Sequence, residues 1–264
     1  MRQLFFLFSL LSFSVKAFAL YNGNPSLPMM PEEGSFIPKE VWFGIKLGYE
    51  FDFVYDRKLH MQGHHLDHCK KHVRTFDSTG NFGTLTFNFN DRVEIFSMLG
   101  GMSFEISHTP LPKTKIAYRT PTHFTWGVGG RAILAYWGDL QLGVNAAYLQ
   151  VSTPLSSLKV NDKSYPVRHA KLASAQWQIG IGTSYRWHWF IPYFGIDYSD
   201  VRTRIEDLDS IEFLIPDEHV TFKDSYPCGI YFGFGLSPYR VFNVNVEARF
   251  MNENAFSVSA DFKF

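Results

Sequence analysis

The chain has 264 residues, in which 25 Lys and Arg side chains balance 25 Asp and Glu side chains. This neutral balance excludes the basic excess that nucleic-acid binding requires, so no nucleic-acid partner is expected. Aromatic residues make up 17% of the chain and the mean hydropathy is −0.11. Such values are typical of a membrane barrel, in which lipid-facing and lumen-facing side chains average out and Trp and Tyr collect at the interfaces.

Residues 1–19 have the pattern of a secretory signal peptide. Arg2 provides the positive start, residues 4–15 form an apolar run, and Ala17 and Ala19 mark a cleavage site of small residues. The apolar run is too short to span a bilayer, and no later stretch approaches the roughly 18 apolar residues of a membrane helix. The sequence therefore predicts export, with a soluble secreted protein as the alternative to a membrane protein.

Residues 20–40 are predicted to be a periplasmic lead segment that precedes the barrel. Prolines at four positions exclude the interior of a strand, because proline cannot donate to a β-ladder. Two interpretations stay open, a segment that folds into the lumen and a flexible tail. The prolines are Pro25, Pro28, Pro31 and Pro38.

Alternation of apolar and polar residues predicts the strands that follow. Across residues 41–55 the apolar side chains occupy odd positions. This alternating stretch is longer than the roughly 9 to 11 residues that a tilted barrel strand needs to cross a membrane. The irregularity around Gly100 and Gly101 indicates a bulge. The same pattern predicts ten strands, at residues 41–55, 82–89, 92–107, 124–136, 140–148, 175–187, 191–204, 228–236, 242–250 and 255–264.

The lengths of the connections predict the orientation. Short links alternate with four long polar segments, at residues 56–81, 108–123, 150–172 and 205–225, which is the asymmetry of short periplasmic turns and long external loops. At lipid depth every backbone N–H and C=O must be paired within the protein, so the sheet must close. Residues 41–264 are therefore predicted to form an all-β fold, a closed antiparallel transmembrane β-barrel of about ten strands in the outer membrane.

The last predicted strand has an apolar face that ends on aromatic residues. Phe262 and Phe264 lie on this face, with Asp261 and Lys263 on the opposite one. A strand that finishes on a C-terminal Phe is what outer-membrane barrels present to the barrel-assembly machinery. The sequence thus predicts this machinery and outer-membrane lipid as partners.

Several motifs occur in order from the start of the mature chain to its last residue. They are Gly23-Asn24-Pro25-Ser26, residues 48–57, Gln176-Trp177-Gln178, Ser184-Tyr185-Arg186, Pro192-Tyr193-Phe194-Gly195, Cys228-Gly229-Ile230 and Phe262-Lys263-Phe264. Together they resemble the chlamydial major outer membrane porin family, and this resemblance implies a barrel that lets small hydrophilic solutes across the outer membrane. The chain is shorter than that family's abundant, cysteine-rich and cross-linked porins and has only two cysteines.

Inward positions of the predicted strands carry charges of both signs. They are interpreted either as the lining of an aqueous path or as a salt-bridge network that fills a narrow barrel. Ten strands lie nearer the eight that side chains fill than the sixteen that leave a channel, whereas many inward glycines favour open space. The predicted pore-lining residues are Lys46, Glu50, Arg131, Gln176, Arg186, Asp197, Glu247, Arg249, Asp261 and Lys263.

The first long loop concentrates histidines around one cysteine. On a helix, spacings of three and four would bring imidazoles and a thiolate to one face, and these ligands suit zinc or copper. A solvated loop with incidental histidines is the alternative, and no cofactor is predicted. The weak metal candidates are His64, His65, His68, Cys69 and His72.

Cys69 and Cys228 are disulfide candidates, because an exported protein meets an oxidising compartment. They could pair within the chain or cross-link neighbours, and a homo-oligomer stays possible. A non-conducting structural or adhesive barrel is the alternative to a porin. A third alternative, a protease at the external rim, has the following residues of the fourth long loop as candidates: Asp207, Asp209, Asp217, Glu218 and His219.

Overall fold

The computed structural model describes residues 20–31, 33–37, 41–62, 73–111, 114–161, 163–167, 170–207, 219–239 and 241–264. Within these ranges the chain forms one sheet of fifteen strands. The strands are β1 (Phe43–Arg57), β2 (Leu59–Gln62), β3 (Val73–Phe89), β4 (Val93–Leu111), β5 (Thr114–Arg119), β6 (His123–Trp137), β7 (Leu140–Pro154), β8 (Ser157–Val160), β9 (Lys163–Tyr165), β10 (Lys171–Tyr185), β11 (Phe190–Glu206), β12 (His219–Asp224), β13 (Cys228–Tyr239), β14 (Phe242–Phe250) and β15 (Glu253–Lys263).

Ten of the strands in the described ranges close into a barrel. In the order β1, β3, β4, β6, β7, β10, β11, β13, β14 and β15, each strand pairs antiparallel with the next. The circle closes between β1 and β15, where Phe51 lies opposite Val258. Closure leaves no strand edge in the lipid, so the predicted all-β, ten-stranded closed barrel is confirmed.

Several strands are longer than their apolar alternation indicates. The strand predicted at residues 82–89 begins at Val73, and the one predicted at 140–148 continues to Pro154. In the additional part of β3, Ser78 and Gly80 lie buried on the inward face, while the outward positions Asp77 and Thr79 are also polar. Both faces are therefore polar or small, and a pattern search that depends on contrast between them does not find the strand.

The five shorter strands, β2, β5, β8, β9 and β12, lie within the predicted long loops. A ribbon of β5, β8 and β9 extends the sheet from β4, and β12 connects β2 to β11. The long connections are thus partly folded β-structure rather than wholly irregular loops. Strands of three to six residues carry too few alternating positions to be recognised without their partners.

Indole rings at the ends of the short connections mark one membrane interface. Trp42, Trp137, Trp187 and Trp189 are between 58% and 65% exposed there. Interfacial Trp is typical of the aromatic girdles of outer-membrane barrels. Among the described residues, no helix is long and apolar enough to cross a membrane.

The length of β4 shows how far the strands extend beyond the membrane. A rise of about 3.3 Å per residue at a tilt of about 40° gives about 25 Å between Val93 and Ser103, which matches the height of the lipid-facing band. The part of β4 from Glu105 onward therefore lies beyond the lipid-facing band. The β5–β8–β9 ribbon pairs with this outer part of β4 and lies beyond the band as well.

Candidate functional site: the barrel lumen

Residues 20–31, here called the luminal segment, lie inside the barrel. Leu20, Tyr21, Asn22, Asn24 and Ser26 are at most 4% exposed. The segment contains one turn of 3-10 helix, Leu27–Met29, and no strand. Its backbone groups therefore need partners other than a β-ladder, and the barrel wall provides them as polar side chains.

A carboxylate and a guanidinium on β14 hold the beginning of the luminal segment. Glu247 accepts the backbone N–H groups of Asn22 at 2.9 Å and of Gly23 at 3.0 Å. Arg249 donates to the backbone carbonyl of Leu20. Hydrogen bonds to charged partners are about twice as strong as neutral ones, so this contact fixes the segment firmly.

The opposite wall holds the same residues with amide side chains. Gln178 of β10 donates to the carbonyl of Leu20 at 3.1 Å and to the side chain of Asn22 at 3.0 Å. Asn145 of β7 donates to the backbone carbonyl of Asn22. The start of the luminal segment is thus bound to strands on both sides of the lumen.

A second anchor lies nearer the periplasmic turns. Lys46 of β1 donates to the carbonyls of Leu27 at 2.6 Å and of Met30, and Asn88 of β3 donates to the carbonyl of Pro28 at 2.6 Å. The ammonium of Lys46 also pairs with a buried carboxylate, Glu94 of β4. These contacts pair the carbonyls of Pro28 and Met30, which the 3-10 turn leaves free, and add a second donor to the carbonyl of Leu27, which also accepts the N–H of Met30.

Inward glycines make the room for the luminal segment. A Cβ atom added at Gly143 would lie 3.1 Å from both the Cβ and the carbonyl oxygen of Pro25, and one at Gly180 would lie 2.8 Å from Oδ1 of Asn22. A Cβ at Gly235 would lie 2.7 Å from Nδ2 of Asn24. The space that the glycines leave is therefore filled by the chain itself.

Arg249 lies at the centre of a buried ionic network beside the luminal segment. Its guanidinium is within 2.6 Å of Asp52, 3.1 Å of Glu247 and 3.1 Å of Glu253. All four side chains are at most 3% exposed. Removing one member of such a network leaves a buried charge without its partner, which typically costs about 3–5 kcal/mol.

A second buried guanidinium closes the external end of the same wall. Arg57 donates to both carboxylate oxygens of Asp224, each at 2.8 Å, and also to Glu253 and Ser199 at 2.8 Å. These bonds tie the end of β1 to β12, β15 and β11. The bidentate pair between Arg57 and Asp224 fastens the external strand β12 to the barrel.

An apolar cluster fills the lumen toward its external end. We call it the external core. It consists of inward side chains of the barrel strands and of the buried faces of β2, β5, β8 and β12. Its side chains are at most 7% exposed, and they include Val54, Leu59, Met61, Phe76, Phe104, Ile106, Ile116, Tyr118, Leu158, Val160, Leu172, Ile205, Val220 and Phe222.

Small cavities remain between the luminal segment and the wall. One, lined by Tyr21, Glu50, Arg131 and Asp261 among others, has a volume of about 10 Å³. A second, between residues 22–25 and the wall at Asn145, is of similar size, about 10 Å³. Each has room for about one water molecule, so neither forms a path for a solute.

The predicted pore-lining residues belong to this filled lumen. Seven of them are buried, and Arg131, Arg186 and Asp261 are partly buried. Arg131 lies over the rings of Tyr21 and Phe96, and Arg186 donates to the carbonyl of Met29 at 3.4 Å. The other seven, which are buried on inward faces of the strands, are Lys46, Glu50, Gln176, Asp197, Glu247, Arg249 and Lys263.

Sequence reasoning missed polar residues that are equally central. Arg57 and Glu94 are each 1% exposed and carry ion pairs. Glu94 follows Val93 and precedes Ile95, so the local alternation already indicates that it points inward. Asn145 and Gln178 lie on the polar faces of their strands, but nothing in the local sequence shows that another segment lies against them.

The remaining predictions concern residues that are described in part. His64, His65, His68, Cys69 and His72 lie outside the described residues, so the metal and disulfide predictions are not tested. Cys228 is exposed at the start of β13. Within the described ranges, no group of three or more His, Cys, Asp or Glu side chains is placed to hold a metal ion.

The protease candidates also lie largely beyond the described ranges. Asp209, Asp217 and Glu218 fall outside them, Asp207 follows β11 and His219 begins β12. The catalytic prediction is therefore not tested.

The C-terminal aromatic residue of the predicted assembly signal lies at the other end of the barrel. Phe264 stacks on Phe36 with ring centroids 6.2 Å apart. This contact does not test a role in barrel assembly.

Among known proteins, the chain is similar in sequence to major outer membrane porins. No protein-family model matches the chain. The chain is 22% identical to a major outer membrane porin of Chlamydia abortus over 371 residues, which covers 93% of this chain and 95% of that porin. It is also 22% identical to the serovar F porin of Chlamydia trachomatis over 385 residues, covering 97% and 98% of the two chains.

Among solved structures, the outer membrane protease OmpT from Escherichia coli superposes with a TM-score of 0.41 at 13% identity. The superposition covers 84% of this chain and 96% of the protease. The porin similarity, by contrast, spans nearly the whole chain, although at low identity. Together with the closed sheet, it identifies this chain as a β-barrel protein of the outer membrane.

Proposed function

We propose that this protein is a closed barrel that contributes to the structure of the outer envelope, and that no solute crosses it in this conformation. The observation that carries the proposal is the occupation of the lumen by residues 20–31. Their contacts reach both walls, through Glu247 on one side and Asn145 on the other. A barrel of ten strands is narrow enough for such a segment to fill it.

Two barriers of different chemistry lie in series. The luminal segment forms a polar barrier, in which withdrawal would break the charge-assisted bonds of Lys46 and Glu247. The external core forms an apolar barrier that contains Ile106, Ile116 and Phe222, each 0% exposed. An ion entering this core would lose its hydration without compensation, so the apolar layer opposes conduction even when the polar one is gone.

A second candidate function is passive diffusion of small hydrophilic solutes. The full-length similarity to proteins named as porins favours it. So does the mixture of charges on the inward wall, which includes Lys46, Glu94 and Arg131. In this case both barriers would have to move, and the residues predicted to line the pore would become accessible to water.

We propose no enzymatic activity. The notion of a rim protease rests on a cluster of acidic residues around His219, and acidic external loops are ordinarily solvated surface. Release of a fluorogenic peptide by the purified barrel, abolished by His219→Ala, would contradict this view.

Single-channel recording in a planar bilayer distinguishes the two candidate functions. We expect the folded full-length protein to leave the bilayer silent, with its folded state verified by heat-dependent migration on a gel. Discrete conductance steps whose ion selectivity changes in Arg131→Glu would instead establish a pore. An Arg202→Glu variant, altered on an exposed side chain of β11, is the matched control for the change in charge.

A further inference from the structure

Two grooves meet on the outer surface where β4 and β5 pair. The first encloses about 320 Å³ and is lined by the aromatic side chains Phe51 and Phe53, among others. The second encloses about 120 Å³ and is lined by Lys115, Arg119 and Lys159, among others. Glu105 and Arg119 line both grooves, so the two are continuous.

The β5–β8 ribbon is amphipathic, and its outer face is basic. Ile116 and Tyr118 of β5 are at most 1% exposed and pack into the external core. The alternate positions Lys115 and Arg119 are exposed on the other face. Lys159 of β8 pairs with Ala117, between them, so the same face carries all three cations.

The charge of the second groove is positive. Among its lining residues, three carry positive charges and one, Glu105, carries a negative charge. Glu105 forms an ion pair with Arg119 at 2.7 Å, which leaves the ammonium groups of Lys115 and Lys159 to attract an anion. Asp77 lines the aromatic groove but not the basic one.

The height of the grooves coincides with the outer interface of the membrane. Along β4, Ser103 lies about 25 Å and Glu105 about 30 Å from Val93, so the aromatic groove ends where the lipid-facing band ends. The basic groove begins about 5 Å farther out, at Glu105 and Arg119, which is within the headgroup region of about 5–7 Å on each side of the hydrocarbon core. Its volume of about 120 Å³ is roughly ten times that of a cavity that holds one water molecule, enough for a phosphate group.

We infer that the joined grooves bind a phosphorylated lipid of the outer leaflet. Its phosphate would lie between Lys115, Arg119 and Lys159, and its acyl chains would lie against Phe51 and Phe53. Charge complementarity favours this occupant, since basic residues beside a membrane attract anionic headgroups. The proposal does not depend on whether the lumen conducts.

Native mass spectrometry of the full-length protein in detergent micelles tests this site, with bisphosphorylated lipid A as the probe. We expect retention of one lipid, and we expect the double variant Lys115→Gln, Lys159→Gln to bind it about tenfold more weakly. Both side chains are exposed, so the barrel should still fold, as heat-dependent migration on a gel would verify.

One control variant and two control ligands test whether the site is specific. The control variant Arg202→Gln, Arg204→Gln removes the same charge from exposed positions of β11 and should retain the lipid. An equal loss in this control would contradict a specific site. Equal retention of dephosphorylated lipid A would exclude the phosphate as the recognised group, and binding of inorganic phosphate as tight as that of the lipid would exclude a lipid site.

Discussion

The carboxylate of Glu247 accepts the backbone N–H of Gly23 at 3.0 Å, although the two residues are 224 positions apart in the sequence. One of its oxygens therefore binds the luminal segment directly. The other accepts the N–H of Asn22 at 2.9 Å and lies 3.1 Å from Arg249. Glu247 thus connects the buried ionic network of the wall to the segment that fills the lumen.

Replacing Glu247 with Ala should loosen the luminal segment. The change removes two charge-assisted hydrogen bonds, each of which is worth about 1.5–3 kcal/mol. We expect the amides of Asn22 and Gly23 to lose at least about tenfold of their protection in hydrogen–deuterium exchange. Glu105→Ala, which alters an external carboxylate, is the control, and unchanged protection in Glu247→Ala would contradict the anchoring role.

Filling the glycine-lined space should destabilise the barrel. In Gly143→Val the new side chain would overlap Pro25, because a Cβ there already lies 3.1 Å from that residue. Overpacking of this kind costs about 1–3 kcal/mol, and we expect a lower midpoint of thermal unfolding. Gly83→Val adds the same side chain at an exposed site, where the nearest atom to a Cβ is 3.8 Å away, and should have little effect.

Deleting the luminal segment alone should not open the barrel. A variant that lacks residues 20–31 loses the polar barrier but retains the external core, which includes Phe104 and Phe222. We expect it to remain silent in single-channel recording while it still migrates as a folded barrel. Discrete conductance from this variant would show that the external core is no barrier.

The external core should weaken in mild acid because of His108. This residue lies on the part of β4 beyond the membrane and is 1% exposed, stacked on Tyr118 with ring centroids 5.5 Å apart. Within the described structure, neither of its ring nitrogens has a hydrogen-bond partner. Burial among apolar groups lowers the pKa of His108 to about 4 from an ordinary value of 6.5.

The sign of the pH effect follows from this lowered pKa. Between about pH 6.5 and pH 4 the unfolded chain binds a proton that the folded chain excludes. The free energy of unfolding therefore decreases as the pH is lowered through this range. From pH 7 to pH 5 the loss is about 2 kcal/mol. Hydrogen exchange of residues 114–119, corrected for intrinsic rates, measures it. His108→Phe, which retains the stacking, should abolish the dependence, and an unaltered dependence would assign it to another group.

Much of the barrel was predictable because its wall repeats a local pattern. Residues 43–53 and 256–264 alternate strictly, since one face of each strand meets lipid and the other meets the lumen. The pattern failed for residues 73–81, where Asp77 and Thr79 on the outward face are as polar as Ser78 on the inward face, and for β5, whose six residues carry too few repeats. The sequence also showed many glycines at inward positions, which favoured open space in the lumen. In the structure, residues of the luminal segment occupy the space beside several of these glycines.

By itself, the sequence determined that the chain is an exported, closed antiparallel barrel, because alternation, turn lengths and backbone pairing in lipid permit few other solutions. Only the tertiary structure decided what occupies the interior. The contacts of Glu247 with Gly23 and of Lys46 with Leu27 join residues remote in the chain, and no local pattern encodes them. Whether a barrel is open depends on such long-range pairing, since the same inward polar residues can bind water or the chain's own backbone.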